Sequence, residues 1–262
     1  MKPFPKFMKI YHFLHKNKEF WGVLREQRIY PLPIDEISNI TELPENVPSL
    51  SLKEIEIISP VAPSKIICVG RNYAEHAAEL GNDVPKSPLL FLKAPSALIL
   101  DGDSIVIPEY SNQVEHEGEL GIVIGRQCRK LTEKDDPFEF VFGYICLNDV
   151  TARDIQRSDV QFTRGKSFDT FCPVSKYIET ELNVSNIRVQ TRVNGVIKQD
   201  GRTSQMVFPI DFLIRYISNQ MTLYPGDLIA TGTPSGVSQL NEGDVCEVEI
   251  EGIGILRNPV SR

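Results

Sequence analysis

Residues 114–125 read VEHEGELGIVIG, and this stretch limits the possible folds more than any other. Glu115, Glu117 and Glu119 fall at alternate positions directly ahead of a Gly-Ile-Val-Ile-Gly run. Alternate side chains on a strand share a face, so the spacing predicts three carboxylates on one side of a strand that runs into an apolar core. Like charges so placed repel unless something positive lies among them. A divalent ion meets that need, and hard carboxylate oxygens favour Mg²⁺, Ca²⁺ or Mn²⁺ over zinc. A solvated edge strand with its acidic face in water meets it too, so both readings stand at this point.

The 262 residues allow one large domain or a main domain with a small appendage. A net charge of −7 argues against a general nucleic-acid surface, which needs a basic excess. No apolar run approaches the length that crosses a bilayer, so no membrane partner is expected. Cys68, Cys128, Cys146, Cys172 and Cys246 form no CxxC and no Cys-His zinc spacing, which fits reduced thiols and a cytoplasmic location. Lys2, Lys6, Lys9, Lys16 and Lys18 precede the first acid without a continuous apolar segment. The start therefore reads as part of the fold, with Met8 an alternative first residue.

Residues 1–63 read as a small N-terminal β domain and connector. Short β runs over 9–34 close at Pro31 and Pro33, and a proline-rich stretch (Pro44, Pro48, Pro60, Pro63) carries one strand near 55–58. The main domain is expected over 64–262, opening with a strand at 66–69. Further strands are expected at 89–92, 105–107, 118–124, 140–148, 174–178, 188–193, 227–231 and 245–250. Asn194-Gly195 is a type I′ hairpin signal. Helices fit 74–80, capped by Gly81-Asn82, and 210–220, with Phe212, Leu213, Tyr216 and Ile217 as its apolar face. Many strands without a βαβ rhythm predict a mainly β or α+β domain, not a Rossmann fold.

Other chemistry-bearing residues are scattered along this frame. His76 and Glu79, at i and i+3, share a helix face. Asp149 closes a strand, a position suited to a ligand, although Asp149 and Asp154 also suit turn or helix caps. Lys166 lies in Gly165-Lys166-Ser167, which lacks P-loop spacing; it is a surface cation or, beside a metal and an anionic substrate, a stabiliser of negative charge. The turn over 231–237 presents N–H and hydroxyl groups suited to a carboxylate, or is an ordinary Gly-Pro turn.

Taken together, Gly70-Arg71-Asn72-Tyr73, His76 to Glu79, Phe91-Leu92-Lys93, Glu117-Gly118-Glu119-Leu120, Asn148 to Asp154, Lys166 to Pro173 and Thr231 to Val237 resemble the fumarylacetoacetate hydrolase family, in the family's order over roughly 65–258. The resemblance is nearest to acylpyruvate hydrolases, oxaloacetate decarboxylases and 2-hydroxyhepta-2,4-diene-1,7-dioate isomerase-like members. It implies a mixed β-sandwich roll, a homodimer, and Mg²⁺ or Mn²⁺ held by Glu117, Glu119 and Asp149, with Glu115 a neighbour on the same face. It implies cleavage of a carbon–carbon bond in a small 2-oxo acid. His76 and Glu79 would activate water, Lys166 would steady the oxyanion, and Arg71, Lys93 and Thr233 would contact substrate carboxylates. Decarboxylation or isomerisation on the same site is the alternative, and a non-catalytic organic-acid-binding protein the next. The helix at 74–80 is a candidate lid. His116 points away from the glutamates, and Gln199 and Asp200 read as turn residues.

Overall fold

Gly118–Ile124 and its neighbour Val141–Asn148 are buried along their whole lengths, and the fold is assembled outward from them. A computed structural model describes residues 9–32 and 47–262. Pro33 and Pro44 of the expected connector, Met8, and the lysines before residue 9 lie outside the described residues. Along Gly118–Ile124, Leu120, Ile122 and Ile124 enter one apolar cluster while Val123 enters the other, so the strand separates two cores. Each of those branched side chains contributes about 1.5–3 kcal/mol by leaving water.

The large sheet runs, edge to edge, through Leu50–Ser51, Arg28–Leu32, Lys18–Arg25, Lys9–His15, Tyr177–Glu179, Val141–Asn148, Gly118–Ile124, Leu228–Ala230, Ile66–Gly70 and Leu89–Lys93. Within it, Leu228–Ala230 and Ile66–Gly70 are parallel while most neighbours are antiparallel. The N-terminal strands extend this sheet through Lys9–His15 and add a small cluster of their own around Tyr11, Phe13 and Ile29. A second sheet comprises Val196–Arg202, Arg188–Val193, Val245–Ile250, Gly254–Ser261 and Ile105–Val106. Asn194 and Gly195, at φ 52° and 77°, make the hairpin between its first two strands.

The described residues hold four α-helices: α1 (Ala74–Glu79), α2 (Arg153–Ser158), α3 (Thr163–Lys166) and α4 (Ile210–Gln220). None is long and apolar enough to cross a membrane. The mainly β architecture is the one expected; the details differ in three places. The strand expected over 174–178 breaks into Cys172–Val174 and Tyr177–Glu179, with the Ser175 hydroxyl donating to the Tyr177 carbonyl. On α4 the core takes Leu213, Ile214 and Ile217, while Phe212 faces out and stacks between Phe208 and Tyr216.

The third difference shapes the site. The three glutamates do not lie on one strand. Val114–Glu115 pairs with Thr151–Ala152 in a separate two-stranded ribbon, and the chain crosses to the large sheet through His116 and Glu117.

Candidate active site

Two backbone ties fix the crossing. The Glu117 N–H donates to the Asn148 side chain at 2.9 Å, and the Asp149 N–H donates to the Glu117 carbonyl at 2.8 Å. Glu117 and Asp149 are thereby locked side by side, with Glu119 two residues further along the chain, inside the strand Gly118–Ile124. One carboxylate oxygen from each of the three lies within 4.8 Å of the others, and all three residues are buried.

Cations close this acidic group on two sides. Arg153, at the start of α2 and 2% exposed, donates Nε to Glu115 at 2.7 Å and an Nη to Glu117. Lys166, at the end of α3, donates to Glu117 at 2.8 Å and to Asp149 at 2.7 Å. Its ammonium also lies 5.0 Å from the centre of the Phe91 ring. Burial raises the Glu117 carboxyl, but Lys166 and then Arg153 outweigh it and hold the group below the usual carboxylate range. Burial, joined by the charges of Asp149 and Glu117, pushes the Glu119 carboxyl well up. Among the described residues its one hydrogen bond comes from the Gly232 N–H, at 2.7 Å. A buried carboxyl so poorly compensated, beside two carboxylates, needs a further positive charge, and an all-oxygen donor set suits a hard divalent ion. Glu117, Glu119 and Asp149 therefore fit such a metal.

His76 and Glu79 project from α1. The imidazole Nδ1 is 3.2 Å from a Glu79 oxygen, and the ring lines the same cavity of about 310 Å³ as the three acids, Lys166, Arg153, Arg71 and Thr233. Gly81, at φ 68°, ends the helix with the cap expected of it. Glu79 also accepts from the Gly236 N–H, and Glu75 from the Ser235 hydroxyl, so α1 is fastened to the turn that carries Thr233.

Two side chains lie differently from expectation. Lys93, expected at a substrate carboxylate, is 1% exposed; its ammonium is spent on Asp149 at 2.7 Å and on the Val150 carbonyl at 3.1 Å, and it is not among the residues that line the cavity. Gln199 is not in a turn but at the buried centre of Val196–Arg202. It accepts from His116 Nδ1 and from the Gly118 N–H, both at 3.0 Å, and donates to Thr233 at 2.6 Å. Asp200, on the same strand, pairs with Arg188. His116 also bonds the Ser238 hydroxyl, and burial pushes its imidazole down to about 4. Thr233 donates to the Gly118 carbonyl.

Sequence reading assigned no role to Arg153, though the repulsion among the glutamates was itself the signal that a buried cation must stand between them. Gln156 and Arg157, which also line the cavity, carried no such signal.

Comparison with known proteins adds relatives to this geometry. The family model described as fumarylacetoacetate (FAA) hydrolase C-terminal matches residues 65–261. A protein of Methanocaldococcus jannaschii, MJ1656, is 50% identical over 212 residues, covering 81% of this chain and 86% of its own. Oxaloacetate tautomerase YisK of Bacillus subtilis is 41% identical over 225 residues, covering 80% of this chain and 73% of its own. The crystal structure of 5-carboxymethyl-2-hydroxymuconate delta-isomerase from Mycobacterium smegmatis superposes with a TM-score of 0.88 at 37% identity, over 97% of this chain and 100% of that one.

Proposed function

The chain belongs to the fumarylacetoacetate hydrolase family, and on that premise we propose that it is a metal-dependent enzyme interconverting the keto and enol forms of a small 2-oxo acid. The reading rests on one observation: Glu117, Glu119 and Asp149 converge in a single cavity with Lys166 and the His76–Glu79 pair. A divalent ion, Mg²⁺ or Mn²⁺, held by the three carboxylates would polarise the substrate's 2-oxo group as a Lewis acid.

The protein's own groups move the proton. With Nδ1–H donated to Glu79, His76 keeps its Nε2 lone pair free to take a proton from carbon 3 of the substrate. Glu79 then faces the imidazolium charge. The electron pair of the broken C–H bond moves toward the 2-oxo oxygen, where the Lys166 ammonium stabilises the negative charge. Return of the proton to that oxygen completes the enol. The tautomerase and isomerase names of the relatives support proton transfer as the reaction type.

Hydrolysis is the second reading, and the His76–Glu79 pair favours it too, since an imidazole oriented by a carboxylate equally takes a proton from water. The water would attack the distal carbonyl of an acylpyruvate, with Lys166 at the oxyanion. Decarboxylation of oxaloacetate would use the same groups without the water.

Enol disappearance from oxaloacetate, oxaloacetate loss and acetylpyruvate cleavage, followed in Mg²⁺ and then in excess chelator, test these readings. Mg²⁺-dependent enol–keto exchange that is lost in Glu117→Gln and His76→Ala supports the proposal. Acetylpyruvate cleavage with the same dependence moves the assignment to the hydrolase. Wild-type rates equal to the metal-only background on every substrate sink the enzymatic reading.

A further inference from the structure

Two neighbours fix the direction in which the Thr233 hydroxyl points. The Gly118 carbonyl can only accept, so the hydroxyl proton lies on the 2.8 Å contact to that oxygen. The side-chain amide of Gln199 donates to the same hydroxyl at 2.6 Å and to the Pro234 carbonyl at 2.7 Å.

Gln199 cannot turn over to reverse this. The Gly118 N–H, which can only donate, is 3.0 Å from its Oε1. The oxygen therefore faces Gly118 and the amide nitrogen faces Thr233. His116 Nδ1 bonds the same oxygen at 3.0 Å, and Gln199 is 0% exposed, so bulk water does not compete for these bonds.

A hydroxyl carries one proton and two lone pairs. At Thr233 the proton is committed to Gly118 and one lone pair to Gln199, which leaves a single lone pair. Thr233 lines the cavity of the three acids. Toward a ligand, then, this hydroxyl accepts a hydrogen bond, and it donates one only by stripping the Gly118 carbonyl. A carboxylate oxygen would set lone pair against lone pair, so the carboxylate contact implied by the family resemblance does not suit this side chain. The keto oxygen of a 2-oxo acid has the same fault. An enol differs, because its O–H is a donor.

Resting on the reading of this cavity as a 2-oxo acid site, we infer that Thr233 accepts a hydrogen bond from the enol hydroxyl, and that Gln199 is the positioning residue that keeps the Thr233 lone pair turned to the ligand. The two residues thereby favour the enol over the keto form at the site. Their dipoles are aligned before the ligand arrives, so the new O–H meets its acceptor without reorganisation of the protein.

The test uses two ligands that differ at carbon 2: lactate, whose hydroxyl is a donor, and pyruvate, whose 2-oxo group is not. Each is titrated calorimetrically into the Mg²⁺-loaded protein, with the better-bound lactate enantiomer taken for comparison. Thr233→Val should lower the lactate-to-pyruvate affinity ratio about 3- to 10-fold relative to wild type, the range of one hydrogen bond. Thr233→Ser keeps the hydroxyl and should keep the ratio, while Gln199→Met should lower it by a smaller factor. Loss of fold would weaken both ligands without moving the ratio. A ratio unchanged in Thr233→Val overturns the contact, and one unchanged in Gln199→Met overturns the positioning role. Failure of both ligands to bind wild type overturns the 2-oxo acid reading itself, and the contact with it.

Discussion

The backbone N–H of Gly236 donates to both carboxylate oxygens of Glu79, at 3.0 and 3.2 Å. Glu79 therefore serves two elements at once, orienting His76 and fastening α1 to the turn over residues 233–236. Gly236 is at φ 102°, and a Cβ there would stand 1.9 Å from the Lys198 carbonyl. Only glycine brings this N–H to the carboxylate.

The two duties of Glu79 separate by substitution. Glu79→Gln keeps an oxygen for the Gly236 N–H but loses the charge that balances an imidazolium, so kcat should fall about 100-fold, within the usual range for a general base, with the melting temperature little changed. Gly236→Ala should lower both. Steady-state kinetics alongside thermal melts check this; a Glu79→Gln enzyme with wild-type kcat removes the pair from the mechanism.

Arg153 is the cation whose loss should cost most. Arg153→Met leaves Glu115 and Glu117 buried beside an apolar side chain, and breaking a buried pair in this way costs about 3–5 kcal/mol. Urea unfolding in chelator measures it, and adding Glu115→Gln to the same chain should recover part of the loss. A penalty below about 1 kcal/mol would mean that water reaches the glutamates.

Glu119 should behave in the opposite sense. Burial already pushes its carboxyl well up, so the ion-free protein gains little from its charge. Glu119→Gln should melt in chelator at or above the wild-type temperature. Millimolar Mg²⁺ should stabilise wild type only, by the roughly 2.7 kcal/mol expected when the ion is at 100 times its Kd, and raise its melting point accordingly. An equal Mg²⁺ shift in the two proteins would exclude Glu119 as a ligand.

His116 gives the fold an acid-sensitive point. Burial holds its folded value near 4, below the ordinary 6.5, so between those values the unfolded chain binds more protons. Stability from the neutral ring is full above about 6.5 and is lost as pH falls; from pH 7 to 5 the loss is about 2 kcal/mol. His116→Gln should flatten this part of the stability–pH curve relative to wild type, by denaturant melts at each pH. Parallel curves would contradict the assignment.

Strands built on strong local patterns were legible, as Gly118–Ile124 and the Asn194–Gly195 hairpin illustrate, because a short continuous apolar run and turn chemistry act over a few residues. What escaped depends on chain segments meeting from afar. Gln199 looks like a turn residue beside Asp200-Gly201, yet His116 and Thr233, 83 and 34 residues away, make it a buried hub. Lys93 closes a strand, and nothing local says whether its ammonium turns to substrate or to Asp149. The crossing at His116 was hidden for the same reason: an alternating pattern is identical whether one strand carries it or two strands share it.

The tie between the Asp149 N–H and the Glu117 carbonyl, together with the Lys166 ammonium between the two carboxylates, bears on how a metal would come and go. The two carboxylates are fixed by backbone bonds at the ends of neighbouring strands and already share a positive charge. If a divalent ion is bound there, as proposed, its loading would fill a finished receptacle, with no folding step attached. The polypeptide should survive repeated stripping and refilling, and its occupancy should follow the free ion concentration around it rather than the history of its synthesis.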